Sequence, residues 1–217
     1  MDELLMGGIP KGNLIVLSGD PGSGKTIFCH QFLFNGITDF KEKGIFISLE
    51  ESVEEVIASA ASFGFDYKKL ISEGKLYIEA MELYDFDKLR DTIEDLVTET
   101  HAERVVIDPG VIFRLYFEKE FEARKQLLTL GTMLKRLHTT SIITNEISQE
   151  SHGLYGLEEY VADGVILLYH TKVGNKFIRS MAVLKMRESM IDENLRPVKV
   201  TGKGIIAFPK ALVSGSI

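Results

Sequence analysis

Lys25 and Thr26 close the run Gly19-Asp20-Pro21-Gly22-Ser23-Gly24-Lys25-Thr26, a complete G-x-x-x-x-G-K-T pattern. Residues of these types at this spacing can hold a polyphosphate. The glycines let backbone amides converge on an anion without Cβ clashes. A helix that begins where the run ends adds unpaired N–H groups and the positive end of its dipole. In such a loop the lysine reaches the β- and γ-phosphates and the threonine hydroxyl sits on Mg²⁺. Both flanks fit: the apolar run Leu14-Ile15-Val16-Leu17 precedes the loop, and Ile27-Phe28-Cys29-His30-Gln31-Phe32-Leu33 follows it at helical pattern. That context argues against a chance glycine-rich turn. The stretch from Gly19 to Ile27 is therefore predicted to bind a nucleoside triphosphate.

Three further groups of polar residues fall at the ends of apolar runs, where open α/β sheets bind ligands. Asp108 closes Val105-Val106-Ile107, the Walker B arrangement, and is expected to hold Mg²⁺ through its water shell; a helix cap is the plainer alternative. Glu50 and Glu51 follow Gly44-Ile45-Phe46-Ile47-Ser48-Leu49. A carboxylate there can orient or deprotonate the water that attacks a γ-phosphate; otherwise the pair is solvated residues ahead of a helix cap. Thr144-Asn145-Glu146 ends another strand and offers Asn145 as a neutral side chain to sense a γ-phosphate, or a polar loop start. A fourth group lies elsewhere. In Lys185-Met186-Arg187 a period of 2 sends both cations from one face and turns Met186 to the core. The residues alone admit an ordinary solvated edge strand. They also admit a cationic pair reaching a neighbour's nucleotide, a contact worth on the order of 10³–10⁵ in rate.

The elements that must position these groups alternate. Ser52 and Glu55 form an S-x-x-E capping box for a helix to about Phe63. Lys75 to Glu79 reads as a short strand. Asp85 caps a helix whose Leu89, Ile93, Leu96 and Val97 repeat at helical spacing. An amphipathic helix runs through Leu127, Leu130, Leu134 and Leu137, with His138 at its C-terminal end. Ser141 to Thr144 and Val165 to Leu168 are buried strands. This alternation predicts an α/β fold with a mainly parallel central sheet flanked by helices. Phe177 to Met186 and Val198 to Phe208 alternate in polarity around the turn Gly202-Lys203-Gly204, which predicts antiparallel strands at one edge.

Composition narrows the class. The chain has 217 residues, of which 45% are hydrophobic, enough for one sizeable core; no linker or internal repeat divides it, so one domain is expected over residues 1–217. A net charge of −7 supplies no general attraction for nucleic acid or acidic membranes. The single cysteine, Cys29, excludes an intramolecular disulfide and reads as core filling. No run reaches the length of a membrane span, and the five histidines lack metal-ligand spacing. A soluble cytoplasmic protein is the expectation.

Longer stretches carry a resemblance. Asp2-Glu3-Leu4-Leu5-Met6-Gly7-Gly8-Ile9-Pro10-Lys11-Gly12, Ser48-Leu49-Glu50-Glu51-Ser52, Ala61 to Asp66, Glu73-Gly74-Lys75-Leu76, Tyr155 to Val165 and Leu184-Lys185-Met186-Arg187 stand in order along nearly the whole chain. Together they resemble the KaiC-like ATPases of the RecA superfamily. The resemblance implies a RecA-type core, ATP with Mg²⁺, and a homo-hexameric ring with nucleotide between subunits. It makes Glu50 and Glu51 the catalytic carboxylates and Lys185 and Arg187 contacts in trans to the γ-phosphate. A regulatory or signalling role, with a protein partner, goes with it. The sequence also departs from the family. It carries one copy where the clock members carry two, and Glu159-Tyr160 stands in place of the phosphorylated Ser-Thr pair, so autophosphorylation is not expected. Pro109 follows Asp108 where a small hydroxyl residue is common. Two other readings share the core: a DNA recombination or repair ATPase of the RadA/RadB type, and a nucleotide-gated module with little hydrolysis. The aromatic and charged run Phe113 to Lys119 would serve the first, but Glu118, Glu120 and Glu122 favour packing or an interface.

Overall fold

Period-2 burial organises the centre of the molecule. In β2 (Gly44–Ser48), Phe46 packs into one apolar cluster while Ile45 and Ile47 pack into another on the opposite face. The same division runs through β1 (Leu14–Gly19), where Ile15 and Leu17 face one way and Leu14 the other. A sheet apolar on both faces must be covered on both, and it is. A computed structural model of the chain describes residues 5, 7–82, 85–109, 116–117, 119–146 and 161–212, apart from the side chain of Glu120. On one side lie α1 (Lys25–Asp39), α2 (Val53–Ala61) and α3 (Tyr67–Ser72), and on the other α4 (Phe86–Thr100) and α5 (Glu120–Arg136).

The remaining strands are β3 (Leu76–Ala80), β4 (Arg104–Asp108), β5 (Thr140–Glu146), β6 (Gly164–Val173), β7 (Lys176–Met186), β8 (Arg196–Thr201) and β9 (Gly204–Ala207). They form one nine-stranded sheet in the order β3-β2-β4-β5-β1-β6-β7-β8-β9. The pairs from β3 through β6 are parallel, and those from β6 through β9 are antiparallel. The expected sheet and its antiparallel edge are both present. Register aligns the polar strand ends: Ser48 lies opposite Asp108, and Gly19 opposite Glu146.

Local signals hold where they were strongest. Ser52 and Glu55 make both capping-box bonds, although α2 ends two residues short of Phe63. Asp85 accepts from Asp87 N and Lys88 N. His138 does end α5's turn, and its backbone is left-handed at φ 57°. The Asp108–Pro109 peptide is cis. Of the run Phe113 to Lys119, residues 113–115 and 118 lie outside the described residues, as does Tyr155 to Tyr160. Phe117 packs edge-on against Phe86 at 5.3 Å, which is the packing role anticipated for that region. Cys29 is fully buried.

Arg104 ties α1 to the sheet. Its Nε lies 2.5 Å from Glu42 Oε2, its Nη1 donates to Phe32 O at 2.8 Å, and its guanidinium stacks over the Phe32 ring. Gly36 leaves the room, since a Cβ there would meet the Arg104 side chain. Glu42 is buried, and its other partner, Lys11, is largely exposed. R104M therefore leaves a buried carboxylate with only the solvent-exposed Lys11 and is expected to cost about 3 kcal/mol. Chemical denaturation checks this; a change within about 0.5 kcal/mol, typical of surface positions, would contradict it.

Candidate functional site

The eight-residue loop joins β1 to α1 at the C-terminal edge of the parallel strands. Gly22 and Gly24 have φ of 72° and 108°, in the left-handed region that Cβ-bearing residues rarely adopt. The neighbouring strands clamp the loop. Asp20 N donates to Leu168 O at 3.2 Å, and His170 N donates to Asp20 Oδ2 at 2.8 Å. Arg179 Nε donates to Gly22 O at 3.1 Å. Gly19 has no slack: a Cβ would sit 2.4 Å from the Leu168 carbonyl oxygen. Backbone cannot retreat as a side-chain tip can, so G19A is expected to lose stability toward the upper end of about 1–3 kcal/mol. Thermal and denaturant melts that match the unsubstituted chain would contradict this.

The loop carries two polar groups that burial has taken out of water. Ser23 Oγ is buried with no hydrogen-bond partner among the described residues. Lys25 is buried too; its Nζ donates to Gly19 O at 2.9 Å and to Asp20 O at 3.2 Å. Burial lowers its pKa, and Glu146, Asp108 and Asp20 offset part of that. Glu146 Oε1 stands 4.0 Å from Nζ. An ammonium that has lost water favours an added anion, and a buried unpartnered hydroxyl is costly until something accepts from it or donates to it.

Across a cleft of about 370 Å³ from these groups stand the carboxylates. Asp108 accepts from Thr26 Oγ1 at 2.8 Å through Oδ2 and from Thr144 Oγ1 through Oδ1. Both of its oxygens are thereby oriented, one toward the loop's own threonine. Glu50 and Glu51 line the same cleft, as do Ile27 and Glu146. Ser48 Oγ fastens the turn that carries them, accepting from Glu51 N at 2.9 Å and donating to Glu51 O at 2.6 Å. Partial burial raises the Glu51 pKa, with further contributions from Asp108, Glu55 and Glu50. These groups fit a triphosphate and its metal: an ammonium and backbone amides for phosphate, a hydroxyl and a carboxylate for Mg²⁺, and a carboxylate inclined to take up a proton. Among the described residues, no three His, Cys, Asp or Glu side chains are arranged to hold a metal by themselves.

The sequence-predicted residues do not all meet here. Asn145 is buried opposite Ser18 of β1, whereas Glu146 lines the cleft. Lys185 and Arg187 lie at the other end of the sheet. Lys185 Nζ donates to Ala162 O at 2.6 Å, and Arg187 Nη1 to Asp163 Oδ1 at 3.3 Å. Asp163 in turn accepts from Leu14 N, the first residue of β1. β1 spans six residues from there to Gly19, so the cations stand about 16 Å from the chain's own loop. Their outward turn depends on a bulge. Between Val165 and Ile166 the register of β6 against β7 skips Leu184, so Met181 and Val183 and then Met186 face the core. Without the extra residue Lys185 would follow Val183 inward.

Sequence reasoning missed Thr144 as a support for Asp108 and Glu146 as a wall of the cleft. Alternation was the available signal, since residues 144 and 146 share one face of β5 and residue 145 takes the other.

The comparisons with known proteins agree with this geometry. The family model described as "ATPase: KaiC" matches residues 1–211. The chain is 34% identical over 220 residues to the circadian clock oscillator protein KaiC of Synechococcus elongatus, covering 96% of this chain and 42% of that protein. It thus spans about two fifths of the length of such relatives. A UPF0273 protein of Methanocaldococcus jannaschii is 34% identical over 227 residues, which cover 96% of this chain and 93% of the relative. The crystal structure of a KaiC-like protein from Pyrococcus horikoshii superposes with a TM-score of 0.88 at 34% identity, over 96% of this chain and 95% of that one. Loop, strand ends and sheet order on one side, and full-length likeness on the other, place this chain in the KaiC family of phosphate-loop ATPases, with a RecA-type fold.

Proposed function

We propose that the chain binds ATP with Mg²⁺ and hydrolyses it slowly at sites shared between the subunits of a homo-hexameric ring. The observation that carries the reading is the convergence of Lys25, Thr26, Asp108, Glu50 and Glu51 on one cleft. Gly19 to Ile27 hold the triphosphate, Lys25 meets its β- and γ-phosphates, and Ser23 Oγ gains a partner. Thr26 and Asp108 would hold Mg²⁺, which when bound would supply charge stabilisation to the γ-phosphoryl group. Glu51, with Glu50 beside it, orients a water and accepts its proton as the water oxygen bonds to the γ-phosphorus. The bond to the bridging oxygen breaks, and ADP leaves with those electrons.

Lys185 and Arg187 serve a different copy of the chain. Anchored about 16 Å from their own loop, they cannot reach their own nucleotide. They suit a neighbour packed with its loop against the opposite sheet end. Coupling hydrolysis to ring contacts in this way fits a regulatory or signalling role with a protein partner. Calorimetric titration with ATP and Mg²⁺, followed by phosphate release, tests the reading. Binding with slow turnover is expected; no ATP binding would overturn it. Among the described residues no helix is long and apolar enough to cross a membrane.

A further inference from the structure

The cationic end of the sheet holds more than Lys185 and Arg187. Asp163 is 2% exposed and precedes β6. Its backbone is fixed on both sides, by its N–H to Leu14 O at 2.8 Å and by Arg187 N to its carbonyl at 2.9 Å. Its Oδ2 accepts from Leu14 N at 3.0 Å. The other oxygen, Oδ1, takes two cations at once: Arg187 Nη1 at 3.3 Å and Lys135 Nζ, from the last turn of α5, at 2.6 Å. Lys185 Nζ is held one residue away, on Ala162 O. Three cations thus gather around a single buried carboxylate. Lys135 and Arg187 keep 45% and 56% of their side chains exposed, so the positive groups face outward while the negative one does not.

We propose that Lys135 is a third cation offered to the triphosphate of a second copy of this chain, and that Asp163 is the positioning residue that sets it beside Arg187. The proposal rests on the reading of Lys185 and Arg187 as contacts in trans. Among the described residues one carboxylate contacts this group of three cations, which leaves an excess of positive charge there in a chain of net charge −7. That excess is the field a polyanion fits. Lys185 feels it: burial lowers its pKa, and Arg187 and Lys135 press it in the same direction, against Asp163. An added polyphosphate relieves that repulsion. The plainer role for Lys135, a cation at a helix C-terminus, does not require Asp163 or Arg187.

Mixing distinguishes the two. K25A is prepared without a working phosphate loop but with its cations intact; K135M, R187A and D163N keep their loops. Each variant is assayed alone and after mixing with K25A. Each is expected to be slow alone, and turnover is expected to return in all three mixtures, because intact loops then meet intact cation clusters. K135R is expected to restore most of the rate, which K135Q does not. If R187A is recovered by K25A while K135M turns over normally, or stays slow in the mixture, the assignment of Lys135 is wrong and the shared site stands. If R187A itself is not recovered, the shared site fails and the proposal with it. Salt-sensitive binding of a single-stranded oligonucleotide, lost in K135M while hydrolysis is unmoved, would assign the cluster to nucleic acid and also overturn the proposal. ATP titration of K135M separates a folding defect from a lost contact, since its own loop still binds when the chain is folded.

Discussion

Replacing Arg187 with Ala is expected to slow ATP hydrolysis by about 10³-fold, the lower end of what a cation supplied in trans contributes. The chain's own loop is expected to bind ATP much as before. The split follows from distance. Arg187 is anchored to Asp163 at the start of β1, and the loop leaves from that strand's other end. Removing the guanidinium takes nothing from the cis cleft, and Asp163 keeps Lys135 and Leu14 N as partners, so the fold survives. R187K should recover part of the rate, because an ammonium restores charge without the planar fork. K185A should act in the same direction, with the bulge at Leu184 left to hold Met186 in the core. Single-turnover phosphate release alongside ATP titration reads both quantities. Unchanged turnover in R187A would remove it from the site, and lost binding with lost turnover would make it a structural residue.

Substituting Glu51 with Gln is expected to cost about 10²–10⁴ in turnover, the range for a positioned general base, with ATP binding retained. The amide is isosteric, and the Ser48 bonds that hold this turn use only Glu51's backbone, so geometry persists. The pH profile supplies an independent check. A glutamate can act as a base only when ionised, and the Glu51 pKa is raised from 4.5 by burial and by Asp108, Glu55 and Glu50. As pH falls it therefore protonates sooner than an ordinary glutamate, and the acid limb of the rate profile is expected at a higher pH than an ordinary glutamate would give. In E51Q that limb should vanish. E50Q should lose less, since among the described residues no comparable bonds fasten Glu50 to the strand end. An acid limb at the ordinary value, or one surviving in E51Q, would move the base elsewhere.

Much of this site was legible because phosphate chemistry constrains contiguous residues. Glycines, lysine and threonine must follow one another in the loop, and Asp108 and the Glu50-Glu51 pair sit where apolar strands stop. The antiparallel edge was legible in its alternating residues. What escaped was set by tertiary pairing or by single-residue irregularities. α3 spans only six residues, too few for an apolar repeat to show, and its Asp66 cap is the one local signal. The bulge at Leu184 shifts parity by one residue, which no short pattern reveals. Lys135 lies 28 residues from Asp163, so nothing local links them. Thr144 meets Asp108 only because β5 lies beside β4 in the sheet.

The shared site is tested most directly by steady-state ATP hydrolysis per subunit, with Mg²⁺, across a wide range of protein concentration, with particle size measured in parallel. The account predicts a rate per subunit that rises steeply with concentration and follows the appearance of hexamers. A steady, detectable rate on particles that remain monomeric throughout would contradict it, because one chain would then carry a complete site.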